Sequence, residues 1–263
     1  PRWCCAASPA TRGRITPDEN ADGPRLKSRS ARQQGIPLRP LVKICCIASV
    51  DEAHLAIDAG AAALGLVSAM PSGPGVIGDA DIAHIAAAVA SRGGAASPVD
   101  TFLLTSHTEA AAIAEQHAAA GTTTLQLVDH VPPADLQRLR VLRPGVKIVQ
   151  VIHVTGPTSI DEALMAAPFV DALLLDSGNP TLAVKELGGT GRTHDWATSR
   201  RIRDAVWPMP LFLAGGLRPD NVAEAIATVA PHGLDLCSSV RSDGRLDGAK
   251  LRRFFAAVAA ASR

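Results

Sequence analysis

Tyrosine is missing from this chain altogether, and phenylalanine and tryptophan contribute only five and three residues. So few aromatic rings argue against binding single-stranded nucleic acid by stacking. The core must instead come from Ala, Leu, Val and Ile, the small and branched residues that fill a helix-coated parallel sheet. Cysteine is also sparse. Cys4, Cys5, Cys45, Cys46 and Cys237 match neither a zinc spacing nor a disulfide framework, so no metal is expected. An odd count in a chain this size fits a reducing cytosol, and a cytoplasmic location is the expectation. No apolar run reaches the ~18 residues of a membrane span.

Charge is sparse and uneven. Residues 1–40 hold eight Arg or Lys against Asp18, Glu19 and Asp22, while the remainder is mildly acidic. The acidic remainder shows no basic face for nucleic acid. The first forty residues lack the apolar core of a secretory signal. They also contain too little apolar surface to offset the entropy of ordering. They read as a basic, disordered leader, with 41–263 as the folded unit. That unit is close in length to the roughly 250 residues of one (β/α)8 barrel.

From residue 41 short apolar runs alternate with Ala-rich stretches of helical period. Strands are predicted at 41–46, 62–68, 99–104, 123–128, 147–153, 170–176, 210–214 and 233–237. Helices are predicted at 50–59, 79–91, 108–119, 133–140, 158–166, 195–206, 219–229 and 247–261. Ser49, Asp79 and Thr108 are candidate caps, Pro219 and Asp220 would open the seventh helix, and Gly60, Gly93 and Gly121 would end helices. Eight such units specify a parallel sheet with helices outside. A single closed (β/α)8 TIM barrel is the expected fold. An open doubly wound sheet is the rival, although no G-x-G-x-x-G follows the first strand.

In a barrel, chemistry collects at the C-terminal strand ends. Those ends carry two glycine clusters, Gly188-Gly189-Thr190-Gly191 and Gly215-Gly216, and Ser238-Ser239 follows strand 8. Glycine lets backbone N–H groups approach an anion, which points to phosphate; tight turns are the plainer alternative. Strand alternation predicts that Lys43 and Cys45 face the barrel interior, with Ile44 and Cys46 facing the helices. Asp176 ends an apolar run, where a carboxylate is out of place unless it works at the rim. A thiolate and a carboxylic acid across one substrate could move two protons. A lone strand cysteine is more often a small buried hydrophobe. His54, His84, His107, His117 and His232 read as surface residues. His130, His153 and His194 lie nearer the strand ends, and Trp196 reads as a helix anchor.

Val42-Lys43-Ile44-Cys45 resembles the opening K-I-C-G of phosphoribosylanthranilate isomerases. Gly60 through Val67 resembles that family's second strand, and Leu125-Gln126-Leu127 its fourth. Leu174-Leu175-Asp176 followed by Gly188-Gly189-Thr190-Gly191-Arg192-Thr193-His194-Asp195-Trp196 is similar to L-L-D…G-G-T-G-x-T-F-D-W. Leu213 through Val222 is close to L-x-G-G-L-x-P-E-N-V, and Gly233 through Val240 resembles G-V-D-V-S-S-G-V. The resemblance implies an Amadori rearrangement in tryptophan biosynthesis, without cofactor. It implies Asp176 as general acid and Cys45 as general base. Gly189, Gly191, Gly215, Gly216, Ser238 and Ser239 would lie near the phosphate. Lys43, Gln126, Asp129 and Arg192 are further candidate contacts. Lys43 or local dipoles would have to lower the thiol pKa of Cys45 from about 8.5. The partner would be a small phosphorylated sugar-amine, and the enzyme a monomer or homodimer.

The departures from the pattern are local. Cys46 stands where the family has Gly, and Ile47-Ala48-Ser49 replaces its Thr-Arg segment. The stretch Met70 through Ile77 lacks the usual Arg. Val128-Asp129 replaces His-Gly, the strand-3 end reads Thr101 through Ser106, and Arg241 replaces Glu. The groups that would read an aromatic carboxylate are the ones changed. Isomerisation of a different phosphorylated aminosugar, or a non-catalytic phosphometabolite-binding barrel, are the alternatives.

Overall fold

The computed structural model describes residues 39–92 and 98–262. Apart from Arg39 and Pro40, the expected leader lies outside the described residues, as does Gly93. Eight parallel strands alternate with eight helices: β1 (Leu41–Ile44), α1 (Val50–Asp58), β2 (Ala63–Val67), α2 (Asp79–Ser91), β3 (Asp100–Thr105), α3 (Ala110–Ala120), β4 (Thr124–Leu127), α4 (Pro133–Leu142), β5 (Lys147–His153), α5 (Ser159–Ala166), β6 (Ala172–Asp176), α6 (Trp196–Ala205), β7 (Leu211–Leu213), α7 (Val222–Val229), β8 (Gly233–Leu236) and α8 (Gly248–Ala261). β1 pairs with β8, Leu41 opposite Gly233 and Ile44 opposite Leu236, and this contact closes the barrel. The open-sheet rival is thereby excluded.

Strand alternation sorts the apolar residues into two cores. Ile44, Leu64, Leu66, Leu103, Leu125, Leu173 and Leu213 point outward against the helices. Cys45, Ala63, Val67, Phe102, Val149, Leu174 and Phe212 point inward. The inner set contains two of the five phenylalanines, while Phe254 and Phe255 lie in the outer core. Phe102 and Phe212 meet edge to face with centroids 6.0 Å apart.

Local chemistry sets the helix ends. Ser49 Oγ accepts the Glu52 N–H at 3.2 Å, and the Glu52 carboxylate accepts the Ala48 N–H at 3.0 Å. This is a reciprocal N-terminal lock. Gly121 ends α3 in the left-handed conformation. Three expected starts move. Gly78 rather than Asp79 caps α2, and Glu109 rather than Thr108 caps α3. α7 begins at Val222 because Asn221 turns its side chain onto Gly216 O and the Arg218 N–H, leaving Pro219 and Asp220 in the turn. His117, expected at the surface, is buried instead. Its ring contacts Thr122 O at 2.9 Å and accepts from Arg143 at 3.0 Å, so its polar atoms are satisfied inside. No helix among the described residues is long and apolar enough to cross a membrane.

Candidate active site

A cavity of about 200 Å³ opens at the C-terminal ends of the strands. Cys45, Gln126, Asp176, Gly189, Gly191, Gly215, Gly216, Ser238 and Ser239 all line it. Alternation explains the two reactive groups. In β6, Ala172 and Leu174 face inward, so Asp176 does as well. The same parity carries Cys45 inward from Lys43 on the β1 side.

Asp176 is 8% exposed. Its Oδ1 accepts the Ser177 N–H at 2.8 Å. Its Oδ2 approaches Gly188 so closely that a β-carbon there would sit 2.6 Å away. Burial raises its pKa, outweighing the Ser177 N–H and the neighbouring His153, which both favour the carboxylate. A carboxyl whose proton is held this way suits a proton donor.

Cys45 is also 8% exposed. Its sulfur occupies room left by Gly65, where an added β-carbon would meet Cys45 Sγ at 2.8 Å and Lys43 Nζ at 3.0 Å. The missing side chain therefore brings an ammonium beside the thiol. Lys43 itself does not reach the cavity surface. It is fully buried, with Nζ 2.9 Å from Asp235 Oδ1 but outside hydrogen-bond alignment, and 5.2 Å from the Phe102 ring centre. Burial works against the Lys43 charge, but Asp235, Cys45 and Cys46 hold its pKa above the usual value.

The two glycine clusters form one surface. Gly216 is left-handed, φ 59°, and a β-carbon on it would lie 2.8 Å from Arg192 C and Thr193 N. The turn after β7 therefore packs backbone to backbone on the loop after β6, which only glycine permits. Ser177 Oγ and Thr190 Oγ1, 2.7 Å apart, tie that loop to its strand. After β8 the chain makes a single 3-10 turn, Ser238–Val240. Ser239 Oγ and Gln126 Oε1 are buried there without a protein partner among the described residues.

Other candidates lie elsewhere. Asp129 pairs with Lys185, and Arg192 with Glu186; neither lines the cavity. Cys46 departs from expectation. It lines the cavity rather than facing the helices, because its backbone turns left-handed at φ 63° just past β1. Asp235 is the residue that sequence reading passed over. It lines the cavity wall, and its signal was a charge at an inward position of an apolar strand. Arg241, which stands where the family has Glu, does not line the cavity. Its guanidinium instead binds the Glu52 carboxylate and the carbonyls of Cys45 and Cys46.

The model of the family described as N-(5'phosphoribosyl)anthranilate (PRA) isomerase matches residues 42–257. The N-(5'-phosphoribosyl)anthranilate isomerase of Synechococcus sp. (strain JA-2-3B'a(2-13)) is 35% identical over 216 residues, spanning 81% of this chain and 88% of that protein. Isomerase 2 of Methanosarcina mazei is 35% identical over 214 residues, 81% and 91% of the two chains. Among solved structures, the phosphoribosyl anthranilate isomerase of Thermotoga maritima superposes with a TM-score of 0.70 at 25% identity, covering 84% of this chain and 99% of that one. The Thermus thermophilus enzyme gives 0.68 at 26% identity, covering 84% and 98%. With matching motifs in order, a closed barrel and full-length relatives, this chain is an isomerase, an intramolecular oxidoreductase, and belongs to the N-(5'-phosphoribosyl)anthranilate isomerase family.

Proposed function

We propose that the protein converts N-(5-phosphoribosyl)anthranilate to the 1-deoxyribulose phosphate in tryptophan biosynthesis, with Asp176 as general acid and Cys45 as general base. One observation carries this reading: two inward-facing, buried groups, a carboxyl and a thiol, share a cavity walled by the paired glycine turns. Asp176 delivers its proton to the ring oxygen as the ring C–O bond opens, leaving a Schiff base. Cys45 then takes the proton from C2. The electron pair moves into an enolamine, which tautomerises to the ketone. The phosphate lies against Gly189, Gly191, Gly215, Gly216, Ser238 and Ser239. A barrel domain over 41–263, a cytoplasmic location, a small phosphorylated sugar-amine ligand and a monomeric or homodimeric state accompany this proposal.

Steady-state kinetics test it. Asp176→Asn and Cys45→Ala should each lower kcat by about 10²–10⁴-fold, the span of general acid–base catalysis. Asp176 must be protonated to act, and burial raises its pKa. Its titration therefore sets the alkaline limb, along which activity falls as pH rises through that raised value, above the ordinary ~3.9 of Asp. The Asn variant should lack this limb. A loss under tenfold in either variant removes that residue from the chemistry.

A second reading, isomerisation of another phosphorylated aminosugar, is favoured by the β2–α2 loop. That loop faces the cavity with Met70, Ser72, Gly73 and Pro74, and no cation. Complementation of a tryptophan auxotroph lacking this step separates the two.

A further inference from the structure

Three thiols crowd the cavity, and the proposed proton chemistry uses one. Ile44 lies opposite Leu236 across β1 and β8, so Cys45 and Cys237 follow side by side, with the Cys45 N–H on Leu236 O at 2.8 Å. Cys46 stays beside them because its backbone is left-handed. That conformation suits glycine, the residue the isomerase pattern has there, and Cys237 stands where the pattern has serine. The two departures meet: the sulfur atoms of Cys46 and Cys237 are 2.7 Å apart, and both are free thiols.

We propose that Cys46 and Cys237 form an oxidation site, where a hydroperoxide entering the cavity converts them reversibly to a disulfide while Cys45 remains a thiol. Cys237 lines the cavity and is half-buried, whereas Cys45 and Cys46 are buried. An entering oxidant meets Cys237 first. Contact with Cys46 holds the Cys237 pKa below the usual thiol value; burial opposes this and Arg241 assists it. The Cys237 thiolate attacks a peroxide oxygen, the O–O bond breaks, and hydroxide leaves a sulfenic acid behind. Cys46 sulfur then attacks the Cys237 sulfur. The S–O bond breaks, and the departing hydroxide takes the Cys46 proton as water. Two thiols lose two electrons, and hydrogen peroxide becomes two waters.

Without Cys46 the sulfenic acid loses the sulfur in contact with it, and with Cys45 remaining a thiol a second peroxide carries it to the irreversible sulfinate. That anion would sit beside Ser238 and Ser239. Only this consequence rests on the phosphate reading above; the crosslink does not.

The test uses the full chain with Cys4→Ser and Cys5→Ser, which leaves three thiols. After hydrogen peroxide, thiol titration in denaturant should fall from three to one. Tandem mass spectrometry should join Cys46 to Cys237, and dithiothreitol should restore all three thiols. In Cys46→Gly, Cys237 should instead gain two oxygen atoms, and KM should rise more than tenfold without recovery in reductant. Three surviving thiols, or a crosslink or oxidised sulfur at Cys45, overturns the proposal. A crosslink at 46–237 together with an unchanged KM in the oxidised Cys46→Gly variant sustains the oxidation site and refutes the phosphate placement instead.

Discussion

Replacing Lys43 with methionine should destabilise the barrel rather than weaken substrate binding. Lys43 is fully buried and Asp235 has 7% of its side chain exposed, with 2.9 Å between their charged atoms. Both lie on the inner face, directly opposite each other in the β1–β8 register that closes the sheet. Methionine preserves most of the aliphatic stem but strands the Asp235 carboxylate in a site built for a pair. Removing one partner of such a buried pair costs about 3–5 kcal/mol. For a chain of this size each kcal/mol shifts Tm by roughly 2–4 °C, which gives a drop of about 6–20 °C. Exchanging both residues, Lys43→Met with Asp235→Leu, removes the stranded charge and should recover most of the loss. Calorimetry of the two single variants and the double variant yields the coupling directly. Steady-state KM supplies the contrary readout. If Lys43 instead touched substrate, KM would rise while Tm stayed put. A Lys43→Met protein melting within about 2 °C of the parent would refute the reasoning.

Two further outcomes follow from the site's backbone. Gly216→Ala places a methyl 2.8 Å from the backbone of the neighbouring glycine loop, so the anion surface must open. Losing one charge-assisted contact of ~1.5–3 kcal/mol should lower kcat/KM about 10- to 150-fold, chiefly through KM, and an unchanged KM would place the phosphate elsewhere. Asp195 caps α6, accepting the Ala197 and Thr198 N–H groups at 2.9 and 3.2 Å. Asp195→Ala should cost about 1 kcal/mol, seen as a Tm loss of ~2–4 °C. The Thr198 hydroxyl lowers the Asp195 pKa. The cap's contribution is therefore present at neutral pH and fades only as pH falls through that depressed value. A pH-independent difference between parent and variant down to pH ~2 would contradict the assignment.

Local pattern made most of the architecture legible. The two-residue period of each strand separates inward from outward side chains, so Cys45 and Asp176 could be assigned to the interior from their own neighbours. Glycine clusters marked the loops after strands 6 and 7 for the same reason, since turn chemistry is local. The misjudged positions depend on contacts or turns that strand and helix period do not record. His117 is buried because Thr122 and Arg143, from the turns after α3 and α4, satisfy its ring. Cys46 leaves the alternating pattern because β1 ends at Ile44 and the chain turns left-handed two residues later.

By itself the sequence determined the order of eight strand–helix units, the face of the residues within each strand and the glycine-bearing ends. Those properties arise among residues a few positions apart, within reach of backbone period and turn preference. Only the tertiary structure decided that the sheet closes, that Lys43 pairs with Asp235, and that Cys46 touches Cys237. Each of these contacts joins the first strand to the last. No periodicity spans that distance, so the pairings exist only once all eight strands have curled far enough for their edges to meet.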